Sequence, residues 1–207
     1  EARATGPCTA IYPGGISSGS SFYDRQSTFY YPFDLDGAKK ELEAAGLKDT
    51  DGNGVVNYTS GPLSGKDVEI TLLVSGDYST DKNLAEGVIG QMEKLGLRVV
   101  LNALDGKQRA NANYGGKFDW TINRHGPELT AVVQNTEQLA PVGPKTSWFH
   151  RAPESGQLDL MPFEQQLVDI VNKFIATQDV TERANLMKEY NKVATTNVNS
   201  VGLTEYP

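Results

Sequence analysis

The stretch from Val68 to Leu104 constrains this chain more than any other. Val68-Glu-Ile-Thr-Leu-Leu-Val-Ser75 places Val68, Ile70, Leu72 and Val74 on one face and adds Leu73 on the other. Apolar residues on both faces mark a strand covered on both sides. A Gly-Asp-Tyr-Ser-Thr turn follows, then a helix from about Asp81 to Leu95. Leu84, Val88, Met92 and Leu95 line one face, with Thr80 as the expected cap and Gly96 as the stop. Leu97 to Leu104 is the next strand. Strand, helix and strand within roughly 35 residues form a βαβ unit, whose strands are expected to be parallel and whose crossover right-handed. The fold class expected is therefore α/β, with a mixed, largely parallel sheet flanked by helices.

The bulk numbers limit the function. A chain of 207 residues holds one ordinary domain or two small ones. Apolar residues at 38% and aromatics at 9% fit a globular protein rather than a disordered one. The apolar runs are too short to span a bilayer. A net charge of −7 argues against nucleic acid as a partner, because phosphate neutralisation needs clustered Lys and Arg. Cys8 is the only cysteine, which rules out an internal disulfide and leaves zinc without thiolate ligands. His125 and His150 are the only histidines. The amino terminus, Glu-Ala-Arg-Ala-Thr, has neither an initiator Met nor a signal-peptide pattern and reads as cut from something longer.

Residues 1–33 are rich in Gly, Ser, Pro and Tyr and are expected to form a loop-rich connecting segment or binding loop. Asp34 to Gly46 reads as a helix with Leu35, Ala38, Leu42 and Ala45 on one face, Asp34 as N-cap, Gly46 as the C′ residue and Leu47 as its hydrophobic contact. Asp49-Thr-Asp-Gly-Asn-Gly-Val-Val-Asn57 matches the first nine positions of a calcium loop. The twelfth position is Ser60 rather than a bidentate Glu, and Gly61-Pro62 breaks the chain. Two readings stand: a tight turn whose Asp and Asn bond their own amides, or a weak calcium site at Asp49, Asp51 and Asn53.

Lys107, Gln108 and Arg109 fall on a short helix ended by Gly115-Gly116. Phe118, Trp120 and Ile122 then alternate along a strand whose pattern stops at Asn123-Arg124-His125 and breaks at Gly126-Pro127. A strand that delivers amide, guanidinium, imidazole and carboxylate groups to its end is a common way to build a ligand site. A solvated strand end is the plainer alternative. From Pro127 to about Pro162 the pattern is irregular and carries Trp148-Phe-His-Arg151, a group suited to stacking on a ligand or to pinning a loop. Two helices follow. Phe163, Leu167, Ile170, Val171 and Phe174 stripe the first. Ala184, Met187, Tyr190 and Val193 or Ala194 stripe the second, with Thr181 as its expected cap, and Ser200 to Tyr206 reads as a last strand.

Catalytic patterns are sparse. The glycine pairs at 14–15 and 115–116 lack the context of a phosphate loop, and there is no His-Glu-x-x-His. His125 lies beside Arg124 and Glu128 without an evident nucleophile. No cofactor or metal is expected.

Several segments in register resemble family 5 of the bacterial extracellular solute-binding proteins, the peptide-, dipeptide- and nickel-binding components of ABC importers. The resemblance runs from Tyr31-Pro-Phe-Asp-Leu through Gly46-Leu47 into Asp49-Thr-Asp-Gly-Asn-Gly-Val55. It continues through Val68–Val74, Gln91-Met-Glu-Lys-Leu-Gly-Leu-Arg-Val-Val-Leu101, Phe118-Asp119 and Thr177-Gln-Asp-Val-Thr-Glu-Arg-Ala184. It implies one lobe of a two-lobed, periplasmic-binding-protein-like fold, with residues 1–33 as the connection and 34–207 as the C-terminal α/β lobe. It further implies a non-enzymatic, monomeric, periplasmic or extracytoplasmic receptor. That receptor would capture a peptide or similar small polar solute and present it to a membrane permease, its first lobe lying outside this chain. The ligand contacts implied are Asn123, Arg124, His125, Gly126 and Glu128, with Trp148, His150 and Arg151 in second rank. Where the family carries a Trp-x-x-Asp-like run, this chain has His125-Gly-Pro-Glu128, which keeps the carboxylate and replaces the indole. The alternatives are a small α/β enzyme using His125 and a calcium-stabilised structural module.

Overall fold

The computed structural model describes residues 22, 24–27, 29, 31–122, 139, 160–198, 201 and 203, with Tyr114 described by its backbone alone. They fall into two compact units, one centred on Pro32–Asn113 and the other on the two helices near the carboxyl terminus.

The first unit opens with α1 (Leu35–Ala44). Asp34 caps it by accepting a hydrogen bond from the Gly37 amide at 2.9 Å. Gly46 ends it at φ +81°, a conformation that costs glycine least. Leu42 and Leu47 then pack on the same cluster, as the expected stop requires, whereas Ala45 is exposed at the helix end. A short antiparallel ribbon follows, β1 (Leu47–Lys48) with β2 (Asn57–Tyr58). Next come β3 (Glu69–Ser75), α2 (Ser79–Met92) with a 3₁₀ turn at Glu93–Leu95, β4 (Arg98–Leu104), α3 (Gly106–Tyr114) and β5 (Trp120–Thr121).

The sheet is parallel, in the order β4-β3-β5. β3 pairs with β4 in continuous register from Glu69–Arg98 to Ser75–Leu104, and with β5 at Leu72–Trp120 and Leu73–Thr121. β3 is central, which explains its apolar residues on both faces: Leu72, Leu73 and Val74 are all buried. α2 packs on β3 and β4. The α/β class and the βαβ unit are thus present, and the only antiparallel pairing among named strands is the separate ribbon.

Three local expectations change. Thr80 does not cap α2; the helix begins at Ser79, with Tyr78 at the N-cap and no side-chain cap bond. β5 is a two-residue strand at the edge of the described sheet, so Trp120 is exposed while Ile122 is buried. In the second unit, Asp179 rather than Thr181 caps the last helix. Its carboxylate accepts from the Glu182 amide at 2.7 Å, and Thr181 lies within the first turn.

That unit is a helical hairpin, α4 (Pro162–Ala176) against α5 (Val180–Thr196). Leu167, Ile170, Val171 and Phe174 meet Leu186, Met187, Tyr190 and Ala194 in one core. Each fully buried side chain of this size contributes about 1.5–3 kcal/mol. Phe22 stacks edge-on against Phe174 at 5.5 Å, and the Arg183 guanidinium covers the Phe174 ring at 4.6 Å. The Tyr190 hydroxyl donates to the Leu139 carbonyl at 2.7 Å. Burial raises its pKa well above the ordinary phenol value, so it stays a donor. Of the expected final strand, Val201 and Leu203 are described, and neither is in a strand.

Candidate functional site

In parallel α/β sheets, ligand groups gather beyond the carboxyl ends of the strands. Here that rim is made by Ser75-Gly-Asp-Tyr78 after β3, Leu104-Asp-Gly106 after β4, and Ile122 after β5. The three strand ends are stitched together by named bonds. The Gly76 amide donates to the Leu104 carbonyl at 2.7 Å. The approach is close: a Cβ at residue 76 would stand 3.2 Å from that carbonyl, so a larger residue needs the Leu104 backbone to give by a few tenths of an ångström. Asp77 then reaches across β4, its carboxylate accepting from the Gly106 amide at 2.9 Å. Asp105 caps α3 by accepting from the amides of Lys107 at 3.0 Å and Gln108 at 2.9 Å. One turn into α3, Arg109 donates from Nη2 to the Ile122 carbonyl at 2.9 Å, which ties the helix to the end of β5. Asp77, Tyr78, Asp105 and Gln108 are exposed along the same edge.

At the other end of β5, Asp119 fixes the strand's entry. Its carboxylate accepts from the Thr71 amide at 2.7 Å, and its own amide donates to the Thr71 carbonyl at 3.1 Å. The sequence pattern runs the strand through Phe118–Ile122 and puts Arg109 on a short helix, but assigns no role to Asp77, Asp105 or Arg109. The signal for the first two was their placement directly after a strand and before helical residues, the usual position of a capping Asp.

The ligand contacts expected from sequence, Asn123, Arg124, His125, Gly126, Glu128, Trp148, His150 and Arg151, all lie outside the described residues. Ile122 immediately precedes the first of them.

The calcium-like loop is well described. Both Asp49 oxygens accept from backbone, from Gly52 at 2.7 Å and Gly54 at 2.9 Å. The Gly54 bond foremost, with the Gly52 bond beside it, holds the Asp49 carboxyl below its ordinary pKa despite an opposing desolvation effect. Asp51 accepts from the Asn53 amide, and Asn53 Oδ1 from the Val55 amide at 2.7 Å. Asn57, the ninth position, is fully buried and turns its oxygen to the Thr50 amide and hydroxyl. Its Nδ2 donates to Asp67 at 2.8 Å, and Asp67 in turn pairs with Arg98 at 3.0 Å. The turn reading describes this geometry. No group of three or more His, Cys, Asp or Glu is placed to hold a metal among the described residues.

An open cavity of about 320 Å³ lies between α1, the 47–56 turn and the 93–96 turn. It sits before the amino end of β4, away from the strand carboxyl ends, and is lined by Lys39, Lys48 and Lys94 together with Glu43, Asp49 and Glu93. Nothing in that balanced lining selects a ligand. No helix among the described residues is long and apolar enough to cross a membrane.

The geometry has close counterparts among known proteins. Residues 5–144 match the model of the bacterial extracellular solute-binding proteins, family 5 Middle. The whole chain is 72% identical to the periplasmic alpha-galactoside-binding protein of Rhizobium meliloti (strain 1021), over 30% of that protein's length. The solved periplasmic binding protein MelB of Agrobacterium fabrum C58, in complex with stachyose, superposes at a TM-score of 0.91 and is 64% identical, over 98% of this chain and 30% of MelB. The oligopeptide-binding protein OppA superposes at 0.78 over 94% of this chain and 33% of its own, with 18% identity, which is a likeness of fold. This chain therefore spans about a third of the length of these relatives. It belongs to the bacterial extracellular solute-binding proteins of family 5.

Proposed function

We propose that this chain is the ligand-binding lobe of an ABC-transporter substrate-binding protein that captures an oligosaccharide of the α-galactoside class in the periplasm and presents it to a membrane permease. The observation that carries this reading is the 72% identity, along the entire chain, to a periplasmic alpha-galactoside-binding protein. The 64% identity to MelB, solved with stachyose, supports the same ligand class. A peptide ligand has weaker support, because the oligopeptide-binding neighbour shares the fold at 18% identity. In this assignment residues 34–207 form the lobe, 1–33 the connection, and the longer protein supplies the second lobe.

The residues proposed to meet the ligand are those that follow β5, Asn123, Arg124, His125, Gly126 and Glu128, with Trp148, His150 and Arg151. Their chemistry suits a sugar. Planar guanidinium, amide and carboxylate groups pair two-pronged with neighbouring hydroxyls, and an indole face covers the apolar C–H face of a pyranose ring. His125, in place of the family's indole, offers a ring donor and acceptor to sugar hydroxyls. Contacts from both lobes favour the closed state, and the permease reads closure. No bond in the solute is made or broken.

Arg124→Ala in the full-length protein discriminates receptor from enzyme. Loss of stachyose affinity by about tenfold or more, with the sugar recovered intact by chromatography, is expected for removal of a charged hydrogen-bonding group. Conversion of stachyose by the wild-type protein would overturn the receptor reading.

A further inference from the structure

Four steps in this chain join an Asp or Asn to a glycine: Asp36-Gly37, Asp51-Gly52, Asn53-Gly54 and Asp105-Gly106. Such steps are chemically weak. Glycine has no Cβ to shield its amide nitrogen, so that nitrogen can close on the preceding side-chain carbonyl carbon and form a five-membered imide. In this fold all four glycine amides are engaged elsewhere. Gly37 donates to Asp34 at 2.9 Å, Gly52 to Asp49 Oδ1 at 2.7 Å, Gly54 to Asp49 Oδ2 at 2.9 Å and Gly106 to Asp77 at 2.9 Å. In every case the acceptor is the carboxylate of an aspartate other than the residue before the glycine. Asp34 does this as a helix cap, whereas Asp49 caps no helix and serves two steps at once.

The turn at 49–57 is where this chemistry concentrates. Gly52 sits at φ +76° and Gly54 at φ +86°, yet a Cβ at either would meet nothing within 4 Å. Backbone conformation rather than space therefore holds glycine at both positions, and the turn carries two weak steps as a consequence. Asn53 is the more reactive of the two, because an ionised carboxylate such as that of Asp51 is a poorer electrophile than an amide. The Asn53 side chain is itself tied down: Oδ1 accepts from the Val55 amide at 2.7 Å, and Nδ2 donates to Asp51 and Asp67 at 3.2 Å each. Residues 51–54 are exposed, so water reaches them.

We infer that Asn53 is a deamidation site kept latent by Asp49, whose carboxylate holds the proton of the Gly54 nitrogen that would attack it. Water is the only co-reactant the reaction needs. The Gly54 nitrogen gives its proton to solvent base and bonds to Asn53 Cγ; the Cγ–Nδ2 bond breaks, and ammonia leaves with a proton from water. Water then opens the imide at either carbonyl, giving aspartate or isoaspartate at position 53. Asp49 opposes the first step twice. Its oxygen must be given up before the nitrogen can turn, and its negative charge disfavours an anionic nitrogen beside it. Its other oxygen opposes closure of Gly52 on Asp51 in the same way.

The test is prolonged incubation of the full-length protein in mildly alkaline buffer, read by peptide mass spectrometry at residues 51 and 53. Wild-type protein should gain the mass of deamidation at Asn53 far more slowly when native than when unfolded in urea. Asp49→Ala, checked for folding by circular dichroism, should deamidate there about tenfold to a hundredfold faster than the wild type, the weight of one charge-assisted hydrogen bond. The Gly54 amide should lose its slow hydrogen exchange in the same variant. Asp49→Asn keeps one acceptor oxygen without the charge; it should fall between the two, and it replaces the alanine variant if that does not fold. Asp67→Ala frees one Nδ2 bond of Asn53 but leaves the Gly54 amide held, so its acceleration should be smaller. A wild-type rate in the Asp49 variant, equal acceleration by Asp67→Ala, or a native wild type that deamidates as fast as the unfolded chain would each overturn the inference.

Discussion

Asp49 and Asn57 show how one residue pattern can serve two chemistries. Both occupy oxygen-ligand positions of a calcium loop, yet both aim their oxygens at the protein's own donors. Lowered as it is, the Asp49 pKa makes a signed prediction. Its stabilising bonds are present above the ordinary carboxylate pKa of 3.8 and are lost as pH falls through the lower, folded value. A carboxyl-carbon NMR titration should place the Asp49 midpoint below 3.8, and a midpoint at or above 3.8 would contradict the two-bond geometry. Asn57→Ala takes the acceptor from the Thr50 amide and hydroxyl and one donor from Asp67, which keeps Arg98, and should cost about 1–3 kcal/mol in urea unfolding. EDTA should leave the melting temperature unchanged, whereas a rise of several degrees on adding calcium would restore the metal reading. The sequence shows the Asx-rich turn plainly. It does not say where each oxygen points, because that depends on Asp67 and Thr50 closing around Asn57.

The elements with strong periodicity are the ones legible in sequence. α4 and α5 keep their apolar residues at helical spacing because they bury one face against each other, and β3 is apolar on both faces because it is central. Leu167→Ala removes a fully buried side chain from the hairpin core and should cost about 2–5 kcal/mol by denaturant unfolding. A cost below about 1 kcal/mol would mean that this core is not the packed one described. Asp179→Ala should cost about 1 kcal/mol as a lost cap, and Thr181→Ala much less. Caps were misread at Thr80 and Thr181 because a side chain near a helix start resembles a cap by type, while the first turn's backbone decides which residue serves. The bonds from Asp77 to Gly106 and from Arg109 to Ile122 are hidden in the sequence for a related reason. They join residues 29 and 13 apart that only the βαβ winding brings together.

On the scale of the molecule, family membership and the parallel sheet agree, and the ligand class comes from relatives rather than from pattern. Five short motifs in register were enough to indicate a solute-binding lobe. They could not separate peptide from oligosaccharide, because the sheet and helices are common to relatives that bind either. If the proposed two-lobed receptor is right, this chain holds only part of the cleft, and the isolated chain should bind stachyose far more weakly than the full-length protein. Equal affinity would place the whole site within this chain. The most direct test of the account is calorimetric titration of the full-length protein with stachyose and, separately, with a tetrapeptide. The account predicts saturable stachyose binding and no measurable peptide heat; tight peptide binding with no response to stachyose would contradict it.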